Sequence, residues 1–167
     1  MGEKTQEDVY TAFVGQAKAH HRLLAFARKA DHEGYEQIAK LFRAVSAPEG
    51  VQAERHLRLS GEAVVKSTEE NLRYSFEQET TVNQVYYPQF ISDTEEESEP
   101  VATVTFKQAR DVEERHAALY TRALGAMLRE ETHDYYVCDV CGYIAERNRR
   151  EQCPVCRAKR DRLRRVT

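Results

Sequence analysis

Residues 135–160 read YYVCDVCGYIAERNRREQCPVCRAKR and contain all four cysteines of the chain. The cysteines form two C-x-x-C pairs, Cys138 with Cys141 and Cys153 with Cys156, and eleven residues separate the pairs. Each pair is expected to close a tight loop, or knuckle, whose backbone amides point at the sulfurs. Four thiolates would then surround one metal ion tetrahedrally. The segment predicts a small metal-binding domain over residues 133–167, and both iron and zinc accept such a ligand set.

The composition is typical of a soluble helical protein. Of the 167 residues, 41% are hydrophobic and 32% are charged, and the mean hydropathy is −0.73. No apolar run reaches the roughly 20 residues that a membrane-spanning helix needs, and the first residues lack the apolar core of a secretory signal. Because the cysteines are clustered, we expect metal thiolates in the cytoplasm rather than disulfides.

The charge is divided unevenly along the chain. The net charge is −3, but residues 138–167 contain nine Lys and Arg against four Asp and Glu, a balance of +5. The preceding 137 residues therefore carry −8. We expect the basic end to dock against the acidic part of the same dimer. The alternatives are a solvated basic surface and nucleic-acid binding, which the lack of aromatic residues among the charges does not favour.

Four helical segments are predicted before the cysteines. The spacing of apolar residues gives the first two, Pro88 is expected to end the third, and the fourth follows Pro100. They span residues 8–30, 35–59, 68–87 and 101–129. Pro48 is expected to kink the second helix or disturb one of its backbone bonds, and ISDTEEESEP at 91–100 is predicted to be a turn. Four such helices with short connections predict an all-α antiparallel four-helix bundle over residues 1–132.

The bundle contains a repeat of polar residues separated by 63 or 64 positions. The pairs are Gln16 with Glu79, Glu49 with Glu113, and Gln52 with His116. Each half of the bundle thus has one polar residue on a helix and an E-x-x-[QH] motif on the next. The i, i+3 spacing places both residues of the motif on one face, and carboxylate-bridged di-iron bundles use ligands arranged in this way.

These motifs resemble those of the rubrerythrin family. YVCDVCGYIAE followed by CPVC is similar to the rubredoxin-like tail of rubrerythrins. EGYEQIAKLFRAVS at 33–46, and NLRYSFEQET with VYYPQF at 71–90, resemble their helical body. The resemblance implies a ferritin-like four-helix bundle with a di-iron site and a C-terminal rubredoxin-like iron centre. It also implies a homodimer that reduces hydrogen peroxide, with electrons entering at the rubredoxin-like centre of one subunit and reaching the di-iron site of its neighbour.

The chain departs from the family at three ligand positions. Gln16 and Gln52 replace a glutamate and a histidine, and Val82 replaces a second glutamate on the third helix. The resemblance assigns these three positions to one of the two irons. We therefore infer a site for one iron, or another divalent metal, with four catalytic ligands: Glu49, Glu79, Glu113 and His116. The resemblance implies peroxidase-type oxidoreductase activity, which the lost ligands weaken because two irons reduce peroxide more easily than one.

Several alternatives follow from the same residues. The three carboxylates could pair with Arg or Lys and leave the bundle without metal. His20 and His56, one helical turn beyond Gln16 and Gln52, could instead rebuild a di-metal site. The chain could also be a non-enzymatic zinc protein that binds a partner through its basic end. Finally, Arg157 stands after the second knuckle, where the family usually has a small residue, so we expect it at a positive φ.

Overall fold

Five α-helices precede a small three-stranded sheet in this computed structural model, which describes residues 1–61, 64–127 and 133–167. The helices are α1 (Glu3–His32), α2 (Glu36–Leu59), α3 (Thr68–Thr81), α4 (Tyr87–Glu96) and α5 (Pro100–Ala126). The strands are β1 (Tyr135–Cys138), β2 (Ile144–Glu146) and β3 (Leu163–Arg165). The predicted helical fold with a C-terminal metal-binding domain is confirmed. None of the helices in these ranges is both long and apolar enough to cross a membrane.

The chain divides into two compact units, Met1–Ser67 and Thr68–Thr167. The first is a hairpin of α1 and α2. The chain reverses at Gly34, whose φ of +83° favours glycine, and the Arg43 guanidinium clamps Asp31 at 2.7 Å beside the turn. The domain boundary predicted between 132 and 133 falls at the edge of a range that the structure does not describe, and it stays a prediction.

Small side chains line the contact between α1 and α2. The buried residues of the two helices are Ala27, Ala30, Ala39, Ser46 and Ala53. Small residues let two helix backbones approach closely, but they bury little apolar area. The larger apolar residues of α2, such as Ile38 and Leu41, remain exposed. The first unit therefore keeps much of its apolar surface uncovered.

The structure corrects the prediction that Pro88 ends the third helix and that residues 91–100 form a turn. A π-helical turn, Val82–Tyr86, follows α3, and α4 then continues to Glu96. Pro88 stands in the first turn of α4, where its missing N–H and fixed φ do no harm. Only residues 97–99 form the connection to α5. In contrast, α2 runs through Pro48 without interruption.

In the second unit, the cysteine-bearing domain packs against α5. The sheet has the order β2-β1-β3 with antiparallel pairing throughout. Val112 of α5 joins Tyr143, Ala145 and Leu163 in one buried cluster with two of the cysteines. α5 ends at Ala126, and the last residues of the predicted fourth helix, 128 and 129, lie outside the described ranges. The domain is thus packed on the helix that carries Glu113 and His116.

Candidate metal centres

The four cysteines come together as the sequence predicts. The Sγ atoms of Cys138 and Cys156 are 3.6 Å apart, as are those of Cys141 and Cys153, and all four lie within 4.8 Å of one another. Sulfurs bound tetrahedrally at about 2.3 Å from a metal stand about 3.8 Å apart. The sulfurs of this site therefore have the spacing of a four-thiolate metal centre, and the donor set fits iron or zinc.

Both knuckles have the same backbone pattern. The N–H of Gly142 donates to the carbonyl oxygen of Cys138 at 2.9 Å, and the N–H of Arg157 donates to that of Cys153 at 3.0 Å. Gly142 has φ +86° and Arg157 has φ +63°. The positive φ expected at Arg157 is confirmed, because each knuckle needs a left-handed residue directly after its second cysteine.

Burial and backbone amides have opposite effects on the pKa values of the thiols. Burial raises the pKa of Cys141 and of Cys156. Burial also opposes ionisation of Cys138, but the N–H groups of Cys141 and Val140 donate to its sulfur and lower its pKa overall. A metal ion needs thiolates, so its binding to this site must release protons.

A second cluster of ligand atoms lies in the same unit. Glu79 of α3 and Glu113 and His116 of α5 bring their ligand atoms within 4.8 Å of one another. His116 Nδ1 stands 3.2 Å from Glu113 Oε2 and 3.8 Å from Glu79 Oε1. The structure thus unites three of the four predicted bundle ligands. Glu49 lies on α2 in the first unit, and its participation stays a prediction.

The orientation of His116 suits a metal. Its Nε2 lies 3.2 Å from the carbonyl oxygen of Gly142, so in a neutral imidazole this nitrogen carries the proton and donates it. The lone pair of Nδ1 then faces two carboxyl groups, an arrangement that a shared proton or a bound cation stabilises. Burial, the hydrogen bond to Glu113 and the charge of Glu113 raise the pKa of Glu79 to about 8, which marks a place for a proton or for a cation. The three side chains fit a divalent metal.

The alternatives for these carboxylates are not supported in the described ranges. The ion pairs of Glu79 and Glu113 are with His116 and not with Lys or Arg. His20 Nδ1 lies 2.9 Å from both the hydroxyl and the carbonyl oxygen of Ser46, and its ring packs against Gly50. Outside the two clusters described above, no further group of three His, Cys, Asp or Glu ligands gathers there. A di-metal site rebuilt with His20 is therefore not what the first unit shows.

The altered positions Gln16 and Gln52 bind each other. The Nε2 of Gln16 donates to Oε1 of Gln52 at 3.1 Å, across α1 and α2. The remaining Oε1 of Gln16 is buried without a hydrogen-bond partner. Two neutral amides thus bind each other through one hydrogen bond where the family resemblance implies metal ligands.

Three further residues of the second unit are assigned no role from the sequence. Arg115 donates from Nε to the carbonyl oxygen of Ile144 at 3.0 Å, and Arg122 pairs with Glu146 at 2.9 Å. These arginines fasten α5 to β2. The charges of Glu113 and Glu79 contribute, after burial, to raising the pKa of Tyr87, so its phenol stands in their field.

A cavity of about 560 Å³ opens beside the second cluster. Glu79 and His116 lie in its wall together with the phenol-bearing Tyr120 and Tyr135. The rest of the wall is mostly apolar, with Leu72, Leu119, Ala123, Val137, Ile144 and Val166. A molecule much smaller than this volume could reach the carboxylates from it.

Comparison with known proteins agrees with this arrangement. The family model described as Rubrerythrin matches residues 7–124, and that of the rubrerythrin rubredoxin-like domain matches residues 136–164. Nigerythrin of Nitratidesulfovibrio vulgaris is 30% identical over 169 residues, which cover 94% of this chain and 84% of that protein. Rubrerythrin of Porphyromonas gingivalis is 31% identical over 172 residues, which cover 93% and 86%.

Solved structures give the same answer. The structure of partially reduced nigerythrin superposes with a TM-score of 0.60 at 30% identity, covering 99% of this chain and 88% of that chain. The fully reduced, all-ferrous state of nigerythrin also has a TM-score of 0.60, at 29% identity. With both family models matched in order along its length, this chain belongs to the rubrerythrin family.

Proposed function

We propose that this non-haem iron redox protein passes electrons from the four-cysteine site to the cluster of Glu79, Glu113 and His116, and that hydrogen peroxide is reduced there. Its relatives among rubrerythrins and nigerythrin support the redox class. The four sulfurs and the three bundle ligands fit the metals that such chemistry requires. The iron that the family implies would supply one electron at each site, matching the two electrons that reduction of hydrogen peroxide to two waters consumes.

One contact carries the proposal. His116 faces Glu113 through Nδ1 and donates through Nε2 to Gly142, the residue directly after Cys141. A single imidazole therefore joins the two ligand sets within one chain. The hydrogen bond to Gly142 fixes the ring so that Nδ1 faces the carboxylates. The same bond gives the electron a short path of covalent and hydrogen bonds between the two sites.

The bundle site is proposed to hold one metal. Gln16, Gln52 and Val82 offer no charged ligand, and the four side chains that remain suffice for the coordination of one divalent cation rather than two. The cavity beside Glu79 and His116 admits a small oxidant. A cytoplasmic location is proposed as well, because this ligand set needs reduced cysteines.

Glu113→Ala tests the two sites separately. We expect the variant to lose the bundle metal and keep the cysteine-bound metal, whereas Glu114→Ala, which changes the exposed neighbour on α5, should keep both. Metal content per chain is measured with the visible spectrum. A four-thiolate ferric centre is coloured and bleaches on reduction, and peroxide should restore the colour rapidly in the wild type and in Glu114→Ala but slowly in Glu113→Ala.

Each other outcome has a definite meaning. A colourless wild-type protein with zinc at the cysteines would contradict the redox proposal and favour the structural zinc protein. A metal content of three per chain would show a di-metal bundle site. Loss of both metals in Glu113→Ala would show that the two sites are not independent. Glu49→Gln, measured in the same way, tests whether Glu49 completes the bundle site.

The protein is further proposed to be a homodimer. Leu41 is 56% exposed and Ile38 is 47% exposed, and such a row of apolar side chains on α2 is costly in water. Sedimentation should therefore show a dimer that Leu41→Gln weakens, while Lys40→Gln, at the exposed neighbouring position, leaves it intact. A monomeric wild-type protein would contradict this proposal.

A further inference from the structure

The first knuckle, residues 138–142, is packed against α5. The carbonyl oxygen of Gly142 accepts the hydrogen bond from His116. Val112 lies so close that a Cβ added at Gly142 would stand 3.6 Å from its side chain. Val112 also belongs to the buried cluster that contains Cys138 and Cys153. This side of the four-cysteine site is therefore occupied by the chain's own helix, and it leads toward the bundle ligands.

The second knuckle, residues 153–159, makes no hydrogen bond to α5 within the described ranges. Its hydrogen bonds stay within the cysteine-bearing domain: Cys153 with Ala158, Arg157 with Cys153, and Gln152 with Arg157. Pro154, Arg157 and Lys159 are exposed. Cys156 is half-buried beside these exposed residues, so another molecule that contacts this surface comes close to the four-cysteine site.

The basic residues of the domain separate into two groups. Four arginines are paired: Arg160 with Glu151, Arg162 and Arg164 with Asp139, and Arg165 with Asp134. Arg149, Arg150, Arg157 and Lys159 have no anionic partner within the described ranges, and the Nε of Arg149 is buried without a hydrogen-bond partner. Two of these unpaired residues, Arg157 and Lys159, lie in the second knuckle, whereas Arg160, Arg162, Arg164 and Arg165 already have a carboxylate partner.

Arg157 stands where the backbone disfavours it. Its φ of +63° is in the left-handed region, which costs a residue with a Cβ about 1 kcal/mol or more relative to glycine. The equivalent position of the first knuckle is glycine. Within the described ranges its backbone is hydrogen-bonded but its guanidinium has no partner, and a strained residue whose side chain serves no contact in the fold points to a function outside it.

We propose that residues 153–159 form the docking surface for an acidic electron-donor protein, with Arg157 and Lys159 as its main contacts. The proposal rests on the redox function above. One electron passes from the reduced cofactor of the donor to the oxidised four-cysteine centre, and no bond forms or breaks. Charge complementarity between the donor and this surface determines the association rate and its dependence on salt.

Binding is tested with zinc-loaded protein, which carries no electron, and an oxidised acidic flavodoxin as the probe. Arg157→Gln/Lys159→Gln should weaken the affinity about tenfold or more at low ionic strength, and the difference should shrink as salt is added. The control Lys4→Gln/Arg22→Gln removes the same charge from α1 and should bind like the wild type. Equal affinities in all three proteins would overturn the proposal.

Transfer is tested with iron-loaded protein and reduced flavodoxin, following the loss of visible absorbance. The double variant at the knuckle should be reduced about tenfold more slowly, yet dithionite should bleach all three proteins alike. A centre that dithionite does not bleach contradicts the redox function itself, whereas a bleachable centre reduced equally fast in all three proteins contradicts only the docking surface. If the variant alters the sedimentation coefficient but not the reduction rate, the surface contacts a second copy of the chain and the proposal is wrong.

Discussion

Arg157 shows how a single residue can set stability against function. Replacing it with glycine removes the left-handed strain and leaves the knuckle hydrogen bond from its N–H to Cys153 unchanged. We expect Arg157→Gly to raise the free energy of unfolding of the zinc-loaded protein by about 1 kcal/mol, measured by chemical denaturation. The same change should weaken binding of the acidic donor.

Gly142→Ala is the matched control. Its φ is +86°, and an added Cβ would touch Val112 at 3.6 Å, which is ordinary contact. We therefore expect Gly142→Ala to lower the free energy of unfolding by about 1 kcal/mol, because of the backbone conformation alone. If both substitutions shift stability in the same direction, the two knuckles do not share the geometry described for them.

At this scale the sequence reveals the cysteine site but not its link to the bundle. The two C-x-x-C pairs are recognised from local sequence alone, and the chain between them only has to bring the pairs together. The bond from His116 to Gly142 joins residues 26 positions apart and uses a main-chain carbonyl, which every residue possesses. No residue type marks such an acceptor, so only the packing of α5 on the domain can show it.

At the scale of elements, one proline lies inside a helix and another lies in the first turn of a helix. Pro48 lies in the interior of α2, where it withholds a hydrogen bond from the carbonyl of Ala44 and crowds it. We expect Pro48→Ala to raise the free energy of unfolding by about 1–3 kcal/mol, measured by thermal or chemical denaturation of metal-loaded protein.

Pro88→Ala serves as the comparison. Pro88 stands in the first turn of α4, so no helical bond is restored, and the loss of a stiff residue should lower stability by less than about 1 kcal/mol. A destabilised Pro48→Ala would mean that the interior of α2 is not the regular helix described above.

The helix ends illustrate what the sequence pattern can and cannot predict. α1, α2 and α5 have apolar spacing over more than twenty residues, and their positions are predicted within a few residues. Residues 88–96 are not predicted to be helical, because a proline after a helix is normally taken as its end, and the sequence does not reveal the π-helical turn that precedes Pro88. The acidic run 93–97 then resembles a solvated turn, although Asp93 to Glu96 lie in α4.

For the whole molecule, the decisive question is how many metals it holds. The resemblance assigns Gln16, Gln52 and Val82 to the lost ligands of one iron. Restoring them together as Gln16→Glu/Gln52→His/Val82→Glu should raise the metal content by one per chain, measured by elemental analysis. The new ligands supply the negative charge that a second cation needs.

The control replaces the same three residues with alanine and should leave the metal content unchanged. An unchanged content in the restored variant would mean that the backbone around Val82, rather than the missing ligands, excludes the second metal. Sequence alone cannot decide this point, because Val82 begins the π-helical turn and ligand spacing assumes a regular helix.

The π-helical turn has an angular consequence. In an unbroken α-helix Tyr87, eight residues after Glu79, would lie about 80° around the axis from it. A turn of five residues instead of four takes up most of that rotation, so the tyrosine returns to the side of the glutamate. The phenol of Tyr87 is then close enough to feel the charges of Glu79 and Glu113. Its ring centroid lies 6.2 Å from that of Phe106. One extra residue in a helix thus aligns the phenol with the carboxylates and keeps both against the same neighbouring helix.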